Sequence, residues 1–280
     1  MCDVSNYTLK ELQAAELSIL KYLDAFCKSK YLKYYMCNGT LLGAVRHGGF
    51  IPWDDDVDIC MPRPDFEKLI LLADDMKASG YVLSTYSLTN DTQFPFFHLK
   101  VEDPRIKIKR TVNNLQIVSN SWVDIWPLDG VPNGRIQFAL YRARVTINRI
   151  IFTIANCSKP GKRFDIPNRK GLRGIVAIFL EKTHIGRKWD LDACIKRYCA
   201  TVSSNDYYTA NQVVNCYGNY VFNEMYQKSV FGEGQIYSFE GQSFVGPCDA
   251  DKYLSSIYGD YMQLPPKEKQ VNKHIYEIIK

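Results

Sequence analysis

The sequence predicts an α+β fold, and three observations carry that prediction. Residues 8–28 repeat apolar side chains at helical spacing, residues 81–126 alternate aromatic and β-branched runs of strand length, and helical spacing returns over 135–202. The last stretch is broken by a basic loop, so it reads as a helical insertion into a sheet-bearing core.

In the first helix Leu9, Leu12, Ile19, Leu20, Leu23, Phe26 and Cys27 share one face, and Thr8 with Glu11 forms a capping box. Tyr34–Cys37 is a short strand, and Gly39–Arg46 is helix-compatible, giving a strand, a Gly-Thr turn and a helix in succession. Val57–Met61 is an apolar strand ended by Pro62 and Pro64, and Asp65 is placed to cap a helix over 66–78. Strands are expected at Tyr81–Tyr86, Phe94–Val101, Ile106–Val112, Leu115–Val118 and Trp122–Trp126, with Asn113-Asn114 as a hairpin turn. Helices follow over Arg135–Cys157 and Asp190–Val202, then short strands with glycine turns over 207–247, and a closing helix Asp249–Tyr258 before Pro265-Pro266. The expected domains are a core at 1–134, a mainly helical insertion at 135–234 on the acceptor or membrane side, and a C-terminal segment at 235–280 that packs back on the core.

A chain of 280 residues that is 46% hydrophobic can bury a real core. Its net charge of +5 is matched by one segment, Lys159–Arg173, which holds six basic residues against Asp165, so there is no case for nucleic acid. That segment and the apolar run Ile175–Leu180 read either as a peripheral membrane contact through 159–182 or as a solvated loop before a buried helix. The N-terminus lacks a basic stretch followed by an apolar run, and no run approaches a membrane span of ~20 residues. Nine cysteines without a C-x-x-C pair, and only four histidines, argue for reduced thiols and a cytoplasmic protein rather than a zinc site.

The stretch "NGTLLGAVRHGGFIPWDDDVDIC" crowds Asp54, Asp55, Asp56 and Asp58 behind a glycine-rich segment. If 54–59 is extended, Asp54, Asp56 and Asp58 point one way and Asp55 the other, where it makes a structural hydrogen bond. Such a row suits a solvated acidic turn or a hard divalent cation; an EF-hand loop is the weaker rival, for want of its central Gly and terminal Glu. Two features favour the cation. Asn38-Gly39-Thr40 stands at a helix start, where backbone N–H groups can hold phosphate, and Asp124 is buried in an apolar strand where a lone carboxylate is costly.

A Gly-Thr turn, an Asp-x-Asp strand and a third strand carboxylate, in that order, resemble the nucleotidyltransferase fold shared with DNA polymerase beta. More closely, "GTLLGAVRHGGFIPWDDDVDI", "FHLKVED", "VDIWPLDGVP" and "FVGPCDADKYLSSIYGDYMQLPP" resemble the LicD family of phosphocholine transferases, to which fukutin-related phosphotransferases are similar. The resemblance covers 1–130 and 235–274 and implies a nucleotidyltransferase-like mixed sheet. It implies Mg²⁺-dependent transfer of phosphocholine, or a related phospho-alcohol, from CDP-choline or another CDP-alcohol. The acceptor would be a hydroxyl of a glycan, such as a teichoic acid or lipopolysaccharide precursor, and CMP would leave. On this reading Asp56, Asp58 and Asp124 are catalytic, and with Asp54 they hold Mg²⁺, or Mn²⁺ in its place; Asp124 either completes the metal shell or takes the acceptor's proton.

Gly39 and Thr40 would meet the donor phosphate, and Arg46 and Lys100 would neutralise it or form ordinary salt bridges. His47 reads as a weaker candidate or a helix cap, and Asp129 as a loop-orienting or direct residue. A choline head group needs an aromatic wall, for which Trp53, Trp122, Trp126, Phe94, Phe96 and Phe97 are near enough in sequence, although core packing explains most aromatics. The alternatives are a nucleotidyltransferase of the same fold releasing pyrophosphate, and a catalytically silent binding module, against which the intact Asp56, Asp58 and Asp124 argue.

Overall fold

A computed structural model describes residues 4–89, 97–112, 115–157, 179, 182–183, 185–218, 221–272 and 276–279. The expected turn at Asn113-Asn114, the segment Lys159–Arg173, and Phe94 and Phe96 lie outside the described residues. By contacts the chain forms two units: residues 1–84, 98–129 and 211–280, and residues 85–97 and 130–210.

The first unit is built on a mixed sheet. Its main path runs β1 (Tyr35–Met36), β2 (Asp58–Pro62), β5 (Leu115–Gly130), β4 (Leu99–Val112) and β10 (Tyr276–Ile279), with β3 (Val82–Ser84) beside β4 and β6 (Gln212–Val214) beside β5 and β7 (Met225–Gln227). Only β2 and β5 are parallel among the pairs whose register is described. A separate hairpin joins β8 (Gln235–Phe239) to β9 (Gln242–Gly246). The flanking helices are α1 (Val4–Ser29), α2 (Asn38–His47), α3 (Arg63–Leu71) and α4 (Ala73–Ala78), with α8 (Ala250–Tyr258) near the C-terminus. Leu12, Ile19, Leu20 and Leu23 of α1 are wholly buried, and Leu12 packs with Ile108 and Trp122 of the sheet.

Several boundaries differ from expectation. Helix α1 begins at Val4, so Thr8 has helical backbone and is not the half-in residue that a capping box requires. Helix α3 opens at Arg63 behind Pro62, with Pro64 second in the helix, so Asp65 lies in the first turn rather than at the cap. Two expected strands merge into β4, with an irregularity between Asp103 and Lys107 around Pro104, which has no N–H for the ladder. Two more merge into β5, because β4 stays paired with it through the polar residues 119–121. Strand β10 falls beyond Pro265-Pro266 and pairs with β4. The closing helix is as expected, with the Asp249 side chain accepting from the Lys252 N–H at 2.9 Å.

The second unit comprises α5 (Tyr86–Thr89), α6 (Arg135–Cys157) and α7 (Leu191–Val202). Its core joins Tyr86, Phe152, Ala155, Leu191 and Ile195, with Phe97 packed against it. Tyr141 donates to the Val202 carbonyl at 2.9 Å, and Asn148 Nδ2 to Thr201 Oγ1 at 2.9 Å. Residues 211–234, expected in the insertion, group with the first unit because β6 is hydrogen-bonded to β5. Among the described residues no helix is long and apolar enough to cross a membrane.

Candidate active site

The site starts where β1 hands over to α2. Asn38 has φ 48, a left-handed conformation that Asn tolerates, and Tyr253 fixes it by donating to Asn38 Oδ1 at 3.1 Å. Asn38 Nδ2 in turn donates to Asp58 Oδ2 at 3.3 Å, and the Asp58 N–H donates to Thr40 Oγ1 at 2.7 Å. The Thr40 hydroxyl therefore ties α2 to β2. A Cβ on Gly39 would come within 2.5 Å of Asp54 Oδ2, so a side chain there would collide with that carboxylate.

Strand β2 begins at Asp58, one residue after the expected start at Val57, and residues 54–57 are irregular. The face assignment made for an extended strand fails there. Asp54, Asp55 and Asp56 each present an oxygen, all within 4.8 Å of one another, so Asp55 joins its neighbours instead of turning away. Burial, then the charges of Asp56 and Asp55, push the Asp54 pKa up to about 8.

Asp58 lies in register with Asp124 across the parallel β2–β5 pair, and Asp124 with Lys100 across β5–β4. Three strands thus set Asp58, Asp124 and Lys100 in one row on one face. Trp126 Nε1 donates to Asp58 Oδ1 at 2.7 Å, and Trp122 Nε1 to Asp124 Oδ2 at 3.1 Å. Asp124 Oδ1 lies 3.2 Å from Lys100 Nζ and 3.0 Å from His98 Nε2. Burial opposes ionisation of Asp124, but Lys100 and His98 overcome it and hold its pKa well below the ordinary carboxylate value. Among the described residues no cation pairs with Asp58, and burial together with the Asp124 charge pushes it up to about 7.

Glu16 of α1 is fully buried, and among the described residues neither of its carboxyl oxygens has a hydrogen-bond partner. Burial and the charges of Asp56, Asp55, Asp124 and Asp54 raise its pKa well above normal. One turn earlier on the same helix, Gln13 Nε2 donates to the Asp54 carbonyl at 2.8 Å. An unpartnered buried carboxyl beside an acidic cluster is expensive unless a cation completes the group. The donors are all hard oxygens, and their spread is near the ~4 Å that separates opposite ligands of octahedral Mg²⁺. The residues present fit such a cation.

Over residues 31–147 the sequence matches the family described as "LicD/FKTN/FKRP, nucleotidyltransferase domain". It is 30% identical over 274 residues to the lipopolysaccharide cholinephosphotransferase LicD of Haemophilus influenzae, covering 96% of this chain and 97% of that protein. The chain belongs to the LicD family. A shorter similarity, 44% over 39 residues, links it to the human and mouse ribitol 5-phosphate transferase FKRP, covering 14% of this chain and 8% of those proteins. It is a phosphotransferase of the LicD family.

The remaining candidates of this LicD-family chain divide by their contacts. Lys100 is buried, paired to Asp124, and stands over the Trp122 ring at 4.2 Å. Arg46 donates from Nη1 to the Tyr261 carbonyl at 2.7 Å and from Nε to His47 Nε2 at 3.0 Å, and its charge acts on Asp54. Asp129 is wholly buried and takes a bidentate pair from Arg63, at 2.6 and 2.7 Å, which accounts for it structurally. Trp122 and Trp126 are committed to carboxylates, and Phe97 packs in the second unit.

Sequence reasoning passed over Glu16 and His98. His98 was legible in "FHLKVED", since it lies two residues from Lys100 and so on the same strand face. Glu16 interrupts the apolar face of a helix, a buried-polar signal that spacing could have flagged.

Proposed function

We propose that this chain transfers phosphocholine, or a related phospho-alcohol, from a CDP-activated donor to a hydroxyl of a lipopolysaccharide-type glycan precursor, with CMP as the leaving group. The observation that carries this reading is the in-register row Asp58, Asp124 and Lys100 beside the Asp54–Asp55–Asp56 oxygens, in a chain similar along its length to a cholinephosphotransferase. The family description and the mixed sheet support reading the core as nucleotidyltransferase-like.

Asp54, Asp55, Asp56 and Asp58 would hold the divalent cation, Mg²⁺ or Mn²⁺, with Asp124 bordering it and Glu16 closing it from α1. Bound there, the ion supplies positive charge to the donor's diphosphate oxygens as negative charge builds on them. The Asp124 pKa, held low by Lys100 and His98, makes this carboxylate a poor proton acceptor and a good fixed anion. It is therefore assigned to orientation and charge balance rather than to general-base work. Gly39 and Thr40 stand where α2 begins, and their backbone N–H groups would meet a donor phosphate. Arg46, near Asp54, would add a second positive contact.

The test is incubation of purified protein and Mg²⁺ with a panel of CDP-alcohols and a lipopolysaccharide-type acceptor. CMP release with CDP-choline preferred is the expected result. Release of pyrophosphate from a nucleoside triphosphate, with no CMP from any CDP-alcohol, would replace this reading with nucleotidyl transfer.

A further inference from the structure

Charge is segregated between the two units. Residues 85–97 and 130–210 hold 15 Lys or Arg against 6 Asp or Glu, a net +9; the whole chain is +5, so the other unit is −4. Helix α6 contributes Arg135, Arg142, Arg144 and Arg149 with no acidic residue, in addition to the six basic residues in the sequence of 159–173.

This helix has two apolar faces. Tyr141, Val145, Phe152 and Ala155 are buried in the unit's core. Ile136, Leu140, Ile147 and Ile150 are instead 74%, 61%, 54% and 53% exposed. At helical spacing these four fall within an arc of roughly 80°, far from the buried face. Arg144 borders the arc on one side, exposed Arg135 and Arg142 stand further round on the other, and half-buried Arg149 lies nearer the buried face. Scattered exposed aliphatics need no explanation, but an aligned stripe with basic borders does.

Beside the stripe a cavity of about 350 Å³ opens between α6 and α7, lined by Arg144, Ile147, Asn148, Arg197, Ala200 and Thr201. Two guanidinium groups at an open cavity suit a phosphate, which their planar forks can grip.

We propose that the outer face of α6 docks on an anionic phospholipid membrane, with the four aliphatic side chains entering the headgroup region and Arg144 and Arg197 taking a lipid phosphate. Charge decides between occupants. A second copy would set the same arginines against one another, whereas nucleic acid would satisfy the arginines but leave the aliphatic stripe in water. An anionic bilayer satisfies both parts of the face. The docking does not depend on the active-site reading.

The test is co-sedimentation of the full chain with phosphatidylcholine vesicles, with and without phosphatidylglycerol, at low and high salt. Binding is expected only with the anionic lipid and should weaken as salt rises. The triple variant Arg135→Gln, Arg142→Gln, Arg144→Gln should lower the partition coefficient about a hundredfold. The pair Leu140→Asp, Ile147→Asp should lower it at least about tenfold, with an unchanged melting curve as the control for folding. Wild-type vesicle binding by the aspartate pair overturns the proposal. So does a wild-type dimer that this pair splits into monomers, which would make a second copy the occupant. Loss of binding only on neutralising Lys162, Arg163, Arg169 and Lys170 would assign the contact to that segment and overturn the α6 docking.

Discussion

Asp58 and Asp124 are adjacent carboxylates with opposite tendencies. Lys100 and His98 compensate Asp124, whereas Asp58 receives hydrogen bonds from the neutral Trp126 and Asn38. Asp54 and Asp58 have folded pKa values of about 8 and 7, against ~3.9 for an unfolded Asp. Between those values the folded chain holds more protons than the unfolded one, so stability from these two groups is present at low pH and lost as pH rises through 7 and 8. Asp124 behaves oppositely, losing its contribution as pH falls below the ordinary carboxylate value. Asp58→Asn should therefore raise the Tm of the metal-free protein, more at pH 8 than at pH 5, while turnover falls by about a hundredfold or more. Equal Tm gains at both pH values would contradict the charge argument, and retained turnover would remove Asp58 from the site. Lys100→Met leaves Asp124 buried with less compensation and should cost ~3–5 kcal/mol. Adding Asp124→Asn should recover part of that loss in denaturant unfolding, and no recovery would mean that Lys100 stabilises through packing alone.

The elements were legible where side chains repeat and less so where backbone pairing decides. The apolar spacing of α1 and the Asp249 cap of α8 are local signals, and both were readable. The lengths of β4 and β5 were not, because neighbours keep polar and proline-containing stretches paired that would not read as strand alone. The start of β2 at Asp58 likewise follows from its partners: the Asp58 N–H is taken by Thr40, and the Asp124 N–H donates to the Val57 carbonyl at 2.9 Å. At the opposing start of α2, Gly39→Ala would drive Cβ against the Asp54 carboxylate. That variant should keep its helix content yet lose about tenfold in Mn²⁺ affinity, read by titration calorimetry. Wild-type affinity would show that Asp54 moves aside without consequence.

At the scale of the whole chain, α1 carries Glu16 to an acidic loop some forty residues later in sequence. Glu16→Gln preserves shape and removes charge. It should leave the metal-free protein folded and weaken Mn²⁺ binding about tenfold, and unchanged binding by paramagnetic resonance would exclude Glu16 from the cation group. The charge division between the units is another whole-chain property, hidden in a modest net +5 until contacts define the two bodies. The sequence by itself determined the α+β class, the helix spacing, the family motif and the identity of most acidic candidates, because these depend on residue type and local order. Only the tertiary structure decided that Asp55 joins Asp54 and Asp56, that Asp58 stands in register with Asp124, and that His98 and Glu16 face the same carboxylates. Those facts depend on strand pairing and helix docking between distant segments, and no local spacing encodes which strand will lie beside which.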